Sequence, residues 1–193
     1  HEAGQPILIG TRSVQASDAL AQRLTALDLD FNLLNAVQHE SEARIVAEAG
    51  QARKITIATN MAGRGTDILL GPRVKEVGGL HVLATERHDS RRIDRQLFGR
   101  SARQGDPGSA QAFLSLDDEL FVRFLPGRRL RQWLQALVSS HCPGAKGMAS
   151  LAVRYAQMVA QRQTYKQRKG VLKMDTWMDD SLSFTDSSDQ IGG

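Results

Sequence analysis

Cysteine is nearly missing from this chain. Cys142 stands alone among 193 residues, which excludes an internal disulfide and any Cys-rich zinc cluster. Long apolar runs are missing too: none approaches the roughly 20 residues that span a bilayer, and no leader pattern opens the sequence, so the expected location is the cytoplasm. No G-x-x-x-x-G-K-[ST] occurs anywhere, so the usual backbone cradle and lysine for nucleotide phosphates are absent. Basic residues are missing from one end. Residues 174–193 hold five Asp and no Lys or Arg, which leaves 25 basic against 16 acidic residues in the first 173, a charge of +9 hidden beneath the formal +4. A body so basic suits phosphates, nucleic acid or anionic lipid, without choosing among them. The chain opens at His1 rather than methionine, and reads as a piece of something longer.

What is present is an alternation of short apolar runs with helical patterns. Pro6–Gly10 (PILIG) reads as a buried strand of a parallel sheet. Leu20, Leu24 and Leu27 share a face of a helix expected over Ser17–Leu29, with Asp18 in its first turn complementing the helix dipole. Phe31–Asn35 reads as a second strand, Ser41–Ala49 as a helix stopped by Gly50, and Lys54–Thr59 as a third strand. Gly79–Thr85, Ser90–Phe98 and Ser109–Leu116 follow as strand, helix and strand. Connections of this length permit right-handed crossovers, so the expected fold is a doubly wound α/β sheet with ligands at the carboxyl ends of its strands.

Two stretches carry the chemistry. Ala58–Gly71 (ATNMAGRGTDILLG) follows the third strand: Gly63 and Gly65 bracket Arg64, and the Asp67 carboxylate can accept from ribose hydroxyls. Gln96–Gly108 (QLFGRSARQGDPG) places Arg100 and Arg103 three apart, on one face if the segment is a helical turn. Two guanidinium forks converging there suit charge on a transferring phosphoryl group, although a lone R-x-x-R is more often a solvated basic face.

Taken together, the glycine-rich loop and Q-x-x-G-R-x-x-R-x-G resemble the fifth and sixth motifs of the second RecA-like domain in superfamily-two helicase motors. Gly78–Ser109, above all its TERHDSRRID run, is similar to the corresponding segment of the SecA family of preprotein translocase ATPases. The resemblance extends over Gly4–Ser13, Phe31–Gly50 and Phe113–Phe124. It implies a RecA-like sheet over 1–125, the start of a helical scaffold over 126–173 and an acidic tail over 174–193. It further implies nucleotide contacts at Gly63, Arg64, Gly65, Asp67 and Gln96, with Arg64 coupling nucleotide to the domain interface and Arg100 and Arg103 as arginine fingers. ATP or ADP with Mg would be shared with a first motor domain that holds the phosphate cradle. The implied partners of the parent are preprotein, a SecYEG-type channel and anionic lipid, at the inner face of the bacterial membrane. The sequence departs from the family pattern at Arg95, Phe98 and Ala102, where Asn, Arg and Gly are expected.

Beyond Pro126 a short helix is expected over Arg128–Val138. A longer one runs to about Lys169, its apolar stripe formed by Met148, Leu151, Ala152, Tyr155, Met158 and Val159 and packed on the α/β body. Asp117, Asp118 and Glu119 imitate a magnesium-binding pair, yet Ser115–Asp118 fits a capping box. His81 and His88 have no Cys or His at ligand spacing, which argues against a metal site. Three functional classes stay open: half of a SecA-type motor, half of an RNA or DNA helicase, and a non-catalytic module of the same fold. TERHDSRRID speaks against nucleic acid as the partner.

Overall fold

The computed structural model describes residues 1–34, 39–59, 66–140 and 144–188, with side chains described throughout except at 39–42, 146 and 175–188. Five parallel strands form one sheet: β1 (Ile7–Thr11), β2 (Asn32–Leu34), β3 (Ile55–Thr59), β4 (Leu80–Ala84) and β5 (Gly108–Ala112), in the order β2-β3-β1-β4-β5. β1 is central, pairing Ile7 with Ile55 on one side and with His81 on the other. Every residue of β3 is buried, as expected of a strand covered on both faces. The doubly wound α/β reading is thus correct.

The helices α1 (Val14–Ala26), α2 (His39–Glu48) and α3 (Arg91–Phe98) form the crossovers. α1 starts before the expected Ser17, because the Ser13 hydroxyl accepts the Ala16 N–H at 3.1 Å and caps it. Asp18 therefore lies past the first turn, and the capping role belongs to Ser13. Ser17 is buried instead, its hydroxyl 2.5 Å from that of Thr11. α3 lies tight against the sheet because β1 carries Gly10 beneath it. A Cβ at Gly10 would overlap the Leu97 methyl groups, so any side chain there would force α3 outward.

β5 ends at Ala112, short of the expected Leu116. The chain turns away because Ser115 bonds to both Asp118 and Asp117. The Ser115 N–H donates to Asp118 Oδ2 at 3.0 Å, and the Asp117 N–H donates to the Ser115 hydroxyl at 3.2 Å, just ahead of α4 (Glu119–Phe124). Only half of the expected capping box forms: Asp118 accepts from the Ser115 N–H, but the Ser115 hydroxyl accepts from Asp117, and Asp118, the N-cap of α4, makes no side-chain bond into the helix.

A second core follows. α4, α5 (Arg128–Ser139) and α6 (Ala145–Ser188) bury Leu120, Phe121, Phe124, Leu134, Val153 and Ala156 together. α6 does pack on the body, but with only part of the predicted stripe: of its six residues Ala152 is buried and Val159 packs partly buried against the same core. Its buried face is Ala152, Val153, Ala156, Gln157 and Ala160, whereas Leu151 is 62% and Tyr155 44% exposed. Small residues face inward because α4 lies close to α6, leaving no room for Leu or Tyr. α6 also continues well past Lys169 to Ser188, since Gly170 alone is too weak a breaker to end it.

Candidate functional site

α3 begins just after β4 and ends just before β5, so Arg100 and Arg103 lie in the connection that enters the amino end of β5. The expectation that both motifs sit at the carboxyl ends of the strands is therefore wrong for the second. The helical turn proposed for the arginines is also absent. α3 stops at Phe98, and the chain then folds through positive φ at Ala102 (55°), Gln104 (54°) and Gly105 (82°). Ala102 adopts a left-handed conformation that glycine takes without strain, which supplies the physical reason for a glycine in the family pattern.

The loop nevertheless brings the two motifs together. Arg103 Nη1 forms an ion pair with Asp67 Oδ1, thirty-six positions earlier. Gln104 Nε2 donates to the other carboxylate oxygen at 3.3 Å. Arg103 Nε donates to the Gly99 carbonyl at 2.7 Å. The guanidinium is thus held from two sides, through Nε and Nη1, leaving the Nη2 donors for another acceptor. Arg100 is half-buried in the same connection, and Gln96 is exposed on the last turn of α3. Gly63, Arg64 and Gly65 lie outside the described residues.

A buried cluster of ionisable and amide side chains lies where α3 meets α6, with little warning in the sequence. His88, Asp94 and Gln157 are 4%, 3% and 1% exposed. Asp94 Oδ1 accepts from the His88 backbone N–H at 3.1 Å and lies 2.9 Å from His88 Nδ1. Gln157 Nε2 reaches from α6 to Asp94 Oδ2 at 2.7 Å and to the His88 carbonyl at 2.8 Å. Arg87 completes the set, 3.4 Å from Asp94 Oδ2. Burial alone would raise the Asp94 carboxyl, but the His88 hydrogen bonds, the Arg87 charge and the Gln157 amide together hold it below the ordinary range. His88 is therefore a structural hub inside TERHDSRRID. Gln157, a polar residue within a small apolar face, was the one signal available.

Two departures from the family pattern gain an account. Phe98 packs on the main core and receives the Arg87 guanidinium over its ring at 5.2 Å, a cation–π contact that an arginine at 98 would replace by repulsion. Arg95 is exposed on α3. At the carboxyl ends of β1 and β4, Arg12 bridges Asp89 at 3.0 Å and Glu119 at 3.5 Å. Burial pushes the nearby Glu86 carboxyl up despite Arg12, and burial pushes Asp118 up despite its bond from Ser115. The Asp118 carboxylate is thus engaged in the turn ahead of α4.

Comparison with known proteins agrees with these motifs. The family model of the SecA P-loop domain matches residues 1–74 and 72–141. The chain is 52% identical to protein translocase subunit SecA 3 of Magnetococcus marinus over 96% of its length, and 49% identical to subunit SecA 2 of Chlorobium chlorochromatii over 97%. It spans only 28% of each of those relatives. Among solved structures, the yeast DEAD-box splicing factor Prp28 is 22% identical, with a TM-score of 0.49 over 68% of this chain and 27% of that one. Domain 2 of the Mss116p DEAD-box helicase, solved with an RNA duplex, is 20% identical, with a TM-score of 0.47 over 66% of this chain and 49% of that one.

Proposed function

Since the chain belongs to the SecA P-loop domain family, we propose that it is the second motor domain of a SecA-like ATPase coupling ATP hydrolysis to preprotein movement across a membrane. The observation that supports this most is the Asp67–Arg103 ion pair. It joins the two stretches whose residue types suit nucleotide, and it leaves the Nη2 donors of Arg103 for an acceptor.

In this reading a first motor domain supplies the phosphate cradle and Mg, and ATP or ADP lies between the two domains. Bound ATP supplies the phosphoanhydride bond whose cleavage drives the motor. Gly99 and Asp67 orient Arg103 so that its outward N–H groups meet charge developing on the terminal phosphoryl oxygens, where a pre-aimed donor acts without reorganisation. Arg100 adds a second cation from the same loop. Gln96, Arg64 and the glycines at 63 and 65 complete the nucleotide-facing surface, with the Asp67 carboxylate accepting from ribose while it keeps Arg103 in place. The partners of the whole protein are then preprotein, a SecYEG-type channel and anionic lipid at the cytoplasmic face of the inner membrane.

The test is ATP turnover by the full-length protein with and without unfolded preprotein. Stimulation by preprotein that disappears in Arg103→Ala, with nucleotide Kd nearly unchanged, is the expected result. Stimulation by single-stranded RNA and not by preprotein would overturn it in favour of a helicase.

A further inference from the structure

A cavity of about 720 Å³ lies on the α3 side of β5, bounded by α3, α5 and α6 and remote in sequence from Asp67 and its loop. Its floor is made by small or apolar side chains of the edge strand and the segment after it, Ala110, Ala112 and Leu114, and its far wall by Val138 and Val153. β5 is the last strand of the sheet. The Phe113 N–H donates inward to the Ala84 carbonyl at 2.9 Å. By the two-residue period of a strand, Ala110 and Ala112 therefore point their N–H and C=O groups away from β4. Neither residue makes an outward bond among the described residues. Charge at the rim has one sign: Arg87, Arg91 and Arg154 line the cavity and no Asp or Glu does. Arg87 is committed to Asp94, whereas Arg91 and Arg154 are exposed and make no described ion pair.

An apolar trough beside an unpaired strand edge, flanked by two uncommitted arginines, matches the requirements of an added strand. We propose that this groove binds an extended segment of a separate polypeptide, paired main chain to main chain with β5, whose every second residue is apolar or acidic, so that its apolar side chains and its carboxylates share the trough-facing side and the carboxylates meet Arg91 and Arg154. Small ligands would leave the Ala110 and Ala112 backbone groups unpaired, and a basic segment would meet like charge.

The test uses a fluorescein-labelled octapeptide Ser-Val-Ser-Glu-Ser-Val-Ser-Glu (the Val-Glu peptide), whose Val and Glu side chains share one face of a strand, titrated with the 193-residue chain and followed by anisotropy; the Val-Lys peptide carries Lys in place of Glu. Saturable binding is expected that weakens at least tenfold in the Arg91→Glu/Arg154→Glu double variant and with added salt. A Val-Lys peptide should not bind. Ala110→Pro, which removes only an outward donor, should weaken the Val-Glu peptide to a similar degree while the thermal melt stays in place. Should the proline variant fail to fold, the two surface arginines still decide the matter. Equal binding of both peptides, or undiminished binding by the double arginine variant, would overturn the proposal. So would binding by this chain and none by the longer parent, since the groove would then be filled by the parent's own segment.

Discussion

Gln157 of α6 donates to the buried carboxylate of Asp94 at 2.7 Å, across a sequence separation of 63 residues. This bond and its companion to the His88 carbonyl tie the helical region to the α3 end of the sheet. Hydrogen bonds to charged groups contribute about 1.5–3 kcal/mol. Gln157→Leu should accordingly destabilise the chain by about 2 kcal/mol, a melting shift of roughly 4–8 °C for a protein of this size. Calorimetry on the variant checks it, and a shift under 1 °C would mean that the bond contributes nothing net.

Acid should attack the same cluster. Asp94 is held below its ordinary value in the folded chain, so the unfolded chain binds the proton first as pH falls. The contribution of Asp94 is therefore full above its unfolded value and is lost as pH drops through the folded one. Glu86 and Asp118 act in the opposite sense. Their raised values mean the folded chain holds protons longer, and their effect on stability worsens as pH rises above the unfolded values. Glu86→Gln should thus raise stability at neutral pH, while Asp94→Asn should flatten the acid limb below about pH 4. Urea melts from pH 3 to 8 give both slopes, and an unchanged acid limb in Asp94→Asn would contradict the assignment.

Ala102 holds a left-handed conformation at φ 55°, ψ 39°. That geometry costs a non-glycine residue about 1–2 kcal/mol, part of which glycine gives back through its looser unfolded state. Ala102→Gly should therefore stabilise the fold by about 0.5–1 kcal/mol, measurable as a rise in denaturant midpoint at constant slope. A loss of stability would show that the Ala102 methyl makes contacts worth more than its strain.

Asp67 now has a second task. Read from sequence as a ribose contact, it would affect nucleotide affinity more than turnover, but in the structure it also aims Arg103. Asp67→Asn in the full-length protein should lower kcat as well as affinity, by about tenfold, against the thousandfold or so of an arginine finger. Arg103→Lys should rescue poorly, because an ammonium cannot bond Gly99 and Asp67 at once and still offer a planar edge. Single-turnover and equilibrium binding measurements separate the two effects. An affinity loss with kcat intact would return Asp67 to a binding role alone.

β1, β3 and β4 were legible because each is a short apolar run between turn residues, whereas β5, Gly108–Ala112, is an exposed edge of small and polar residues whose end could not be read. Tertiary context decided what was misread. Ser17 looks like a helix start, yet Ser13 caps α1 and Ser17 is drawn inward to Thr11. Leu151 and Tyr155 look like core, yet the close approach of α4 admits only Ala152, Val153 and Ala156. In the second motif the residue types were readable but the backbone was not. Handedness at Ala102 depends on the close packing of Gly108, where a Cβ would come 2.5 Å from the Ala102 nitrogen, and no local pattern reports that. His88 looked idle because its partners, Asp94 and Gln157, follow no single period.

The position of β1 bears on the order in which the molecule can assemble. Its partners begin at Ile55 and His81, so the earliest made of these five strands is the one that must wait longest for both neighbours. Until the chain extends past Ala84, Leu8 and Ile9 have no complete sheet to enter. Closing loops of that length before any pairing is gained slows folding. During synthesis the exposed PILIG segment is the part of this domain most in need of shielding from aggregation.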